Sequence, residues 1–156
     1  MRKIILLLGY VFLALIIVLA AGTVYLAIMG SNLDKESKLY VDAALPAIIA
    51  EWDIREVQKR ASPGLKDNVD YEDLRHAFQM LRKLGKLEAY GGSSGNANIA
   101  VSLWYDYEIT ADYQASAEFE QGTADIEITL IKEEGSWRIL NLYINPLDYE
   151  ERRDII

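Results

Sequence analysis

The sequence predicts an α+β protein: an apolar N-terminal helix long enough to cross a membrane, then a domain of about three helices packed on a curved antiparallel sheet of three to five strands. Three observations carry this. No charged residue occurs from Ile4 to Met29. Between Ser31 and Leu84 apolar residues recur at the helical spacings of three and four. From Lys86 onwards the period falls to two, in runs separated by glycine turns. Helices first and strands after is the order of an α+β domain with its helices on one face of the sheet.

The apolar run IILLLGYVFLALIIVLAAGTVYLAIM comes first. At about 1.5 Å per residue it reaches roughly 39 Å, more than the roughly 30 Å of a hydrocarbon core. The competing reading is a cleaved signal peptide, with Arg2 and Lys3 as a basic start and Val18-Leu19-Ala20 as a cleavage site. The run continues for nine residues past Ala20, which favours an uncleaved anchor. Arg2 and Lys3 precede the span, and mixed charges (Asp34, Lys35, Glu36, Lys38) follow it, so the N-terminus is expected in the cytoplasm and the rest outside it. The expected location is the bacterial inner membrane, with the domain facing the periplasm or the cell exterior. Gly22, Thr23 and Ala27 form a small-residue patch where a partner helix could approach closely. The organisation is thus residues 1–30 as cytoplasmic start and span, 31–146 as the extracytoplasmic domain, and 147–156 as a charged tail.

Residues 31–62 read as helix. Ser31 and Asn32 are cap candidates, Asp34 and Glu36 suit the positive first turn, and Leu39, Ala43, Pro46/Ala47 and Ala50 form an apolar stripe. Pro46 lacks a backbone donor and predicts a kink or restart near Ala44 and Leu45. Trp52-Asp53 reads as a second joint, with Asp53 capping a short helix through Lys59, and Ala61-Ser62-Pro63-Gly64 as a turn. A further helix begins after Asp70, with Leu74, Phe78, Leu81 and Leu84 on its buried stripe and Gly85 as its left-handed end.

Gly91-Gly92-Ser93-Ser94-Gly95 reads as a loop, and Val101, Leu103 and Tyr105 as one side of a strand. The clearest strands follow. Tyr113, Ala115, Ala117 and Phe119 alternate with polar residues, and so do Ala124, Ile126, Ile128 and Leu130. Gly122 and Glu134-Gly135 are the turns. In the last strand, 136–144, Trp137 and Ile139 fall on one face but Leu140, Leu142 and Ile144 on the other. That predicts a bulge or a strand buried on both sides, and a central position in the sheet would give the latter.

Ala61-Ser62-Pro63, Leu84-Gly85-Lys86-Leu87, YQASAEFEQG (113–122), ADIEITLI (124–131), Gly135-Ser-Trp-Arg-Ile139 and Ile144-Asn145 together resemble small extracytoplasmic domains of the nuclear transport factor 2-like superfamily, over about residues 35–146. The resemblance implies a cystatin-like fold, with a strongly bent sheet wrapped around a long helix into a cone. It also implies pairing into homodimers through the open sheet face. The superfamily holds enzymes, ligand binders and association domains, so the fold does not set the function. No motif for the base or oxyanion donors of enzymes resembling ketosteroid isomerase is found, and no catalytic residue is carried over.

Charge and composition narrow the chemistry. Beyond the span, 14 basic residues stand against 24 acidic ones, a net −10, which opposes nucleic-acid binding. The absence of cysteine removes disulfides, thiol nucleophiles and Cys-ligated zinc. His76, the only histidine, sits off its helix's apolar stripe, where a surface histidine is the ordinary reading. No metal site and no cofactor is expected, since no phosphate loop, nucleophile elbow or zinc signature occurs.

Two sets of candidate residues are left. Tyr40, Trp104 and Tyr107 are the aromatics best placed to line a cavity for an apolar ligand. Glu118, Glu120 and Glu127, able to group on adjacent strands, offer an acidic surface to a partner, though a solvated face is the ordinary reading. The leading expectation is a single-pass membrane protein with an extracytoplasmic binding domain, acting as an accessory or assembly subunit through contacts with another membrane or envelope protein. A bitopic scaffold subunit of bacterial type IV secretion systems is similar in plan. The alternative is a pocket protein that binds or isomerises a small apolar molecule.

Overall fold

The computed structural model describes residues 2–100 and 108–147. The protein is α+β: a long N-terminal helix, apolar over most of its length, then short helices and a four-stranded antiparallel sheet. The chain divides into two compact units, Met1–Leu33 and Asp34–Ile156.

In the first unit, α1 (Arg2–Ile49) carries the apolar run. Its described side chains from Tyr10 to Tyr25 are exposed, and the helix is long and apolar enough to cross a membrane. Ser31 and Asn32 lie inside α1 rather than capping a new helix, because the preceding turns already supply their hydrogen-bond partners.

In the second unit, α1 continues through Pro46 without a restart. Pro46 stands in the last turn, where the lost donor removes a single bond. The buried face is Ser37, Val41, Ala44, Leu45, Ile48 and Ile49. The expected stripe is the opposite face: Leu39 is 72% exposed, and Ala43 and Ala47 are exposed too. Alanine and leucine occur on both faces, and the bulkier branched residues won the core because they bury more apolar surface. Trp52, with φ 50°, takes the left-handed position that ends α1, and the Asp53 N–H returns to the Ile48 carbonyl at 3.1 Å. Ring packing holds this uncommon residue there: Trp52 stacks on Phe119 at 5.1 Å and meets Phe78 edge-on at 6.1 Å.

Asp53 caps α2 (Ile54–Arg60), as expected. The predicted turn at 61–64 is instead the entry to a further helix, α3 (Pro63–Asn68). Ser62 Oγ accepts from the Leu65 N–H at 3.1 Å and proline occupies the first turn, a start signal read as a loop. Asp70 caps α4 (Tyr71–Leu81), and a 3-10 turn, Arg82–Leu84, ends at Gly85. Gly85 has the expected positive φ of 83°, but its ψ of −158° is not that of a left-handed helical cap.

The strands are β1 (Leu87–Ala100), β2 (Glu108–Phe119), β3 (Gly122–Glu133) and β4 (Ser136–Leu147), in the spatial order β1-β2-β3-β4. The glycine-rich segment is therefore strand, not loop. Gly95 lies so close to β2 that a Cβ would stand 1.9 Å from the Asp112 carbonyl oxygen. Glycine here permits close approach, and between Tyr90 and Ser93 the register shifts.

β4 is an edge strand, not a central one. Leu130 pairs with Ile139 and Thr129 with Asn141, so Leu140 is the extra residue of a bulge. The bulge reverses the side-chain phase, which puts Leu142 and Ile144 on the same face as Trp137 and Ile139. β4 runs through Pro146 to Leu147, past the expected start of the tail. Inward residues of β2 and β3 are buried, whereas Asp112, Gln114, Ser116, Glu118, Asp125 and Glu127 form an exposed polar face. The predicted strand around 101–106, Trp104, Tyr107 and the tail beyond Leu147 lie outside the described residues.

Candidate functional site

An open apolar groove of about 440 Å³ lies in the second unit between the short helices and β4. Each wall follows from a local feature already described. The Ser62 cap and Ala61, which bridges Ile139 in parallel, hold α3 against β4. The Asp70 cap sets α4 alongside, with Leu74, Ala77, Phe78 and Leu81 towards the groove. The bulge at Leu140 turns Leu142 and Ile144 into the floor. A second depression of about 360 Å³ shares Ala77, Leu81 and Ile144 and extends the groove to Met80, Lys83 and Pro146.

Large apolar side chains stay exposed around this groove. Val69 and Tyr71 line its first part and Met80 its second, with Tyr71 47% and Met80 66% exposed. The only charged groups lining it, among the described residues, are Lys66 and Lys83. Among the described residues no carboxylate lines the groove. Among the described residues no group of three or more His, Asp or Glu could hold a metal ion.

The two edges of the sheet are finished differently. Along β1, α1 supplies a ladder of side chains at i, i+4 and i+8. Asp34 Oδ1 accepts from the Ala97 N–H at 2.7 Å, Lys38 Nζ donates to the Ser93 carbonyl at 2.6 Å, and Asp42 Oδ1 accepts from the Ser93 N–H at 3.0 Å. Eight helical residues rise about 12 Å and four strand residues about 13.6 Å, so the spacings match. Asp42 also accepts from Ser93 Oγ (2.7 Å), the Tyr90 hydroxyl (3.0 Å) and Lys38 Nζ (2.8 Å). Burial pushes its carboxyl up, but the bonds from Lys38, Ser93 and Tyr90 outweigh that and hold it below the usual value. Burial, and then Asp42 itself, push the Tyr90 hydroxyl far above its ordinary range.

Along β4, the Ser62 N–H covers the Ile139 carbonyl at 2.8 Å. Farther along this edge the described residues provide no cover. Among the described residues, nothing hydrogen-bonds to the outward backbone groups of Leu142 and Ile144.

The residues singled out from the sequence do not converge on the groove. Tyr40 is half-buried and does not line it; burial raises its hydroxyl pKa, opposed by Arg60 and Arg138. Glu118 pairs across from Thr123 and Glu127 from Gln114, four residues apart along each strand, or about 13 Å, so the two are not grouped. Glu120 sits in the β2–β3 turn, where its carboxylate accepts from the Lys86 N–H at 3.0 Å. In the first unit Gly22, Thr23 and Ala27 are exposed, and Thr23 Oγ1 donates back to the Ala20 carbonyl at 2.8 Å. Thr23 and Ala27 share a face, with Gly22 about 100° round the helix. The residues that build the groove were read as helix stripe and strand. The available signals were the Ser62-Pro63 helix start and the phase change at Leu140.

No protein-family model, no curated protein and no solved structure matches this chain.

Proposed function

We propose that this chain is a single-pass membrane subunit of the nuclear transport factor 2-like kind, with a cytoplasmic N-terminus and an α+β domain on the outer side of the bacterial inner membrane. It binds another envelope protein through the groove between α4 and β4 and acts as an accessory or assembly subunit. The observation that carries this is the open apolar groove, lined by no carboxylate among the described residues and rimmed by exposed Val69, Tyr71 and Met80. Contiguous exposed apolar surface of this sort is expensive unless a partner covers it. Trp52, Phe78 and Phe119 pack against one another in the interior, and the groove opens to solvent, which favours a docking surface over an enclosed ligand chamber.

The test is site-specific photo-cross-linking in native membranes. A photoreactive side chain at Tyr71 or Met80 of the full-length protein should give a discrete adduct with another membrane protein, and one at Glu127 on the polar sheet face should not. Absence of adducts from both groove positions, with a small apolar molecule retained stoichiometrically by the purified protein, would overturn the reading in favour of ligand binding.

A further inference from the structure

The open edge of β4 is self-complementary, and we propose that its occupant is β4 of a second copy of this chain, paired antiparallel about a two-fold axis at Tyr143. The inference goes beyond the groove's partner: it concerns the backbone edge of β4, not the helix wall.

The direction of each backbone group follows from the turn before β4. Glu134 and Gly135, with φ 50° and 77°, form a two-residue turn closing on Glu133 and Ser136. Glu133–Ser136 is then a hydrogen-bonded pair, and every second residue back along β3 points its N–H and C=O at β4. Their partners are Arg138, Asn141, Tyr143 and Asn145. Leu142 and Ile144 therefore point theirs away from the sheet. The Ser62 bond to the Ile139 carbonyl obeys the same alternation, as do the Ser93 and Ala97 groups covered by α1 on the other edge.

An open edge invites pairing, and proteins usually blunt it with charge, bulges or cover. β1 has all three kinds of protection: the Asp34–Lys38–Asp42 ladder, register shifts and an overlying helix. β4 spends its bulge at Leu140, before the open segment, and carries no charge from Ile139 to Leu147. Two chains of net charge −8 can meet there without like charges opposed.

The segment Asn141-Leu142-Tyr143-Ile144-Asn145 reads nearly the same in both directions. With Tyr143 opposite its own copy, Leu142 faces Ile144 of the second chain and Asn141 faces Asn145. The outward groups of Leu142 and Ile144 then form four N–H···O=C bonds, and the Tyr143 pair is a close, non-hydrogen-bonded one. An isologous contact demands this self-matching. Pro146, whose missing donor also faces outward, limits the pairing to this short segment.

The chain has no cysteine, so single-cysteine variants of the full-length protein report the contact cleanly. A non-hydrogen-bonded pair brings Cα atoms to about 4.5 Å, within disulfide range. Under mild oxidation in native membranes, Tyr143→Cys should give a disulfide-linked dimer. Asn141→Cys and Asn145→Cys should not do so alone, but should cross-link when co-expressed. Glu127→Cys, one strand inward, should stay monomeric. In mild detergent Tyr143→Lys should weaken the dimer about tenfold or more, since it removes an aromatic pair and opposes like charges. Failure of Tyr143→Cys to cross-link, or equal cross-linking of Glu127→Cys, overturns the proposal. Neither result touches the groove adducts at Tyr71 and Met80, so the two readings fail separately.

Discussion

Replacing Asp42 with alanine should unlock the β1 edge, and the expected cost can be worked from the contacts. The substitution removes acceptors for the Ser93 N–H, Ser93 Oγ and the Tyr90 hydroxyl, and the Lys38 ion pair. The side chains of Lys38 and Asp42 are 48% and 33% exposed, so their pair contributes only about 0.5 kcal/mol. Ser93 is buried, and leaving its N–H unsatisfied costs about 1–3 kcal/mol. The sum is a loss of about 1.5–3.5 kcal/mol. Asp42→Asn keeps an acceptor for Ser93 and should lose about 1 kcal/mol. Thermal unfolding of the full-length protein in detergent gives the global change. Amide exchange locates it: residues 90–95 should exchange about tenfold faster or more, while Ala97, held by Asp34, stays protected. The folded Asp42 carboxyl titrates below its ordinary 3.8, so this stabilisation is complete above about pH 4 and is lost as pH falls through the folded value. A change below about 0.5 kcal/mol with unaltered exchange would show that the ladder does not close the edge.

Two further substitutions probe the fold. Gly95→Ala places a Cβ 1.9 Å from the Asp112 carbonyl oxygen and 2.8 Å from Tyr113 Cα, so it should cost about 3 kcal/mol or more, read as a fall in melting temperature. Val41→Ala on the buried face of α1 should cost about 2 kcal/mol, whereas Leu39→Gln, two residues away and 72% exposed, should stay within about 0.5 kcal/mol by the same measurement.

The outcome at Leu39 and Val41 marks where the sequence stopped being informative. Helix periodicity was plain, but α1 is apolar on more than one face beyond Asp34, and only the partner surface decides which face is buried. The facing of the β2–β3 hairpin was legible because strict alternation leaves one solution: shifting its register by one residue would expose Ile126, Ile128 and Leu130, although the turn falls at Glu120-Gln121 and Gly122, expected in the turn, opens β3. The glycine run 91–95 misled for a related reason. Glycine marks a loop when it supplies conformational freedom, but at Gly95 it supplies space, and that need arises only from the Asp112 backbone beside it.

The candidate site was hidden more deeply, since both its halves depend on sheet order. Leu140 announced a phase change, which a bulge or a central strand would explain equally. The consecutive hairpins made β4 an edge, and an edge strand after a bulge is one whose inner face can line a groove while its backbone stays open. Aromatic and acidic residues drew attention in the sequence because they carry conspicuous chemistry. The structure instead builds the groove from plain residues, exposed Val69 and Met80 and half-buried Leu142 and Ile144, whose side chains say nothing until their neighbours are known. The contrast between the edges then sharpens the reading. A chain that spends two carboxylates and a lysine of α1 on covering β1 has the means to cover an edge, and the uncharged, near-palindromic segment of β4 is the one that no described residue covers.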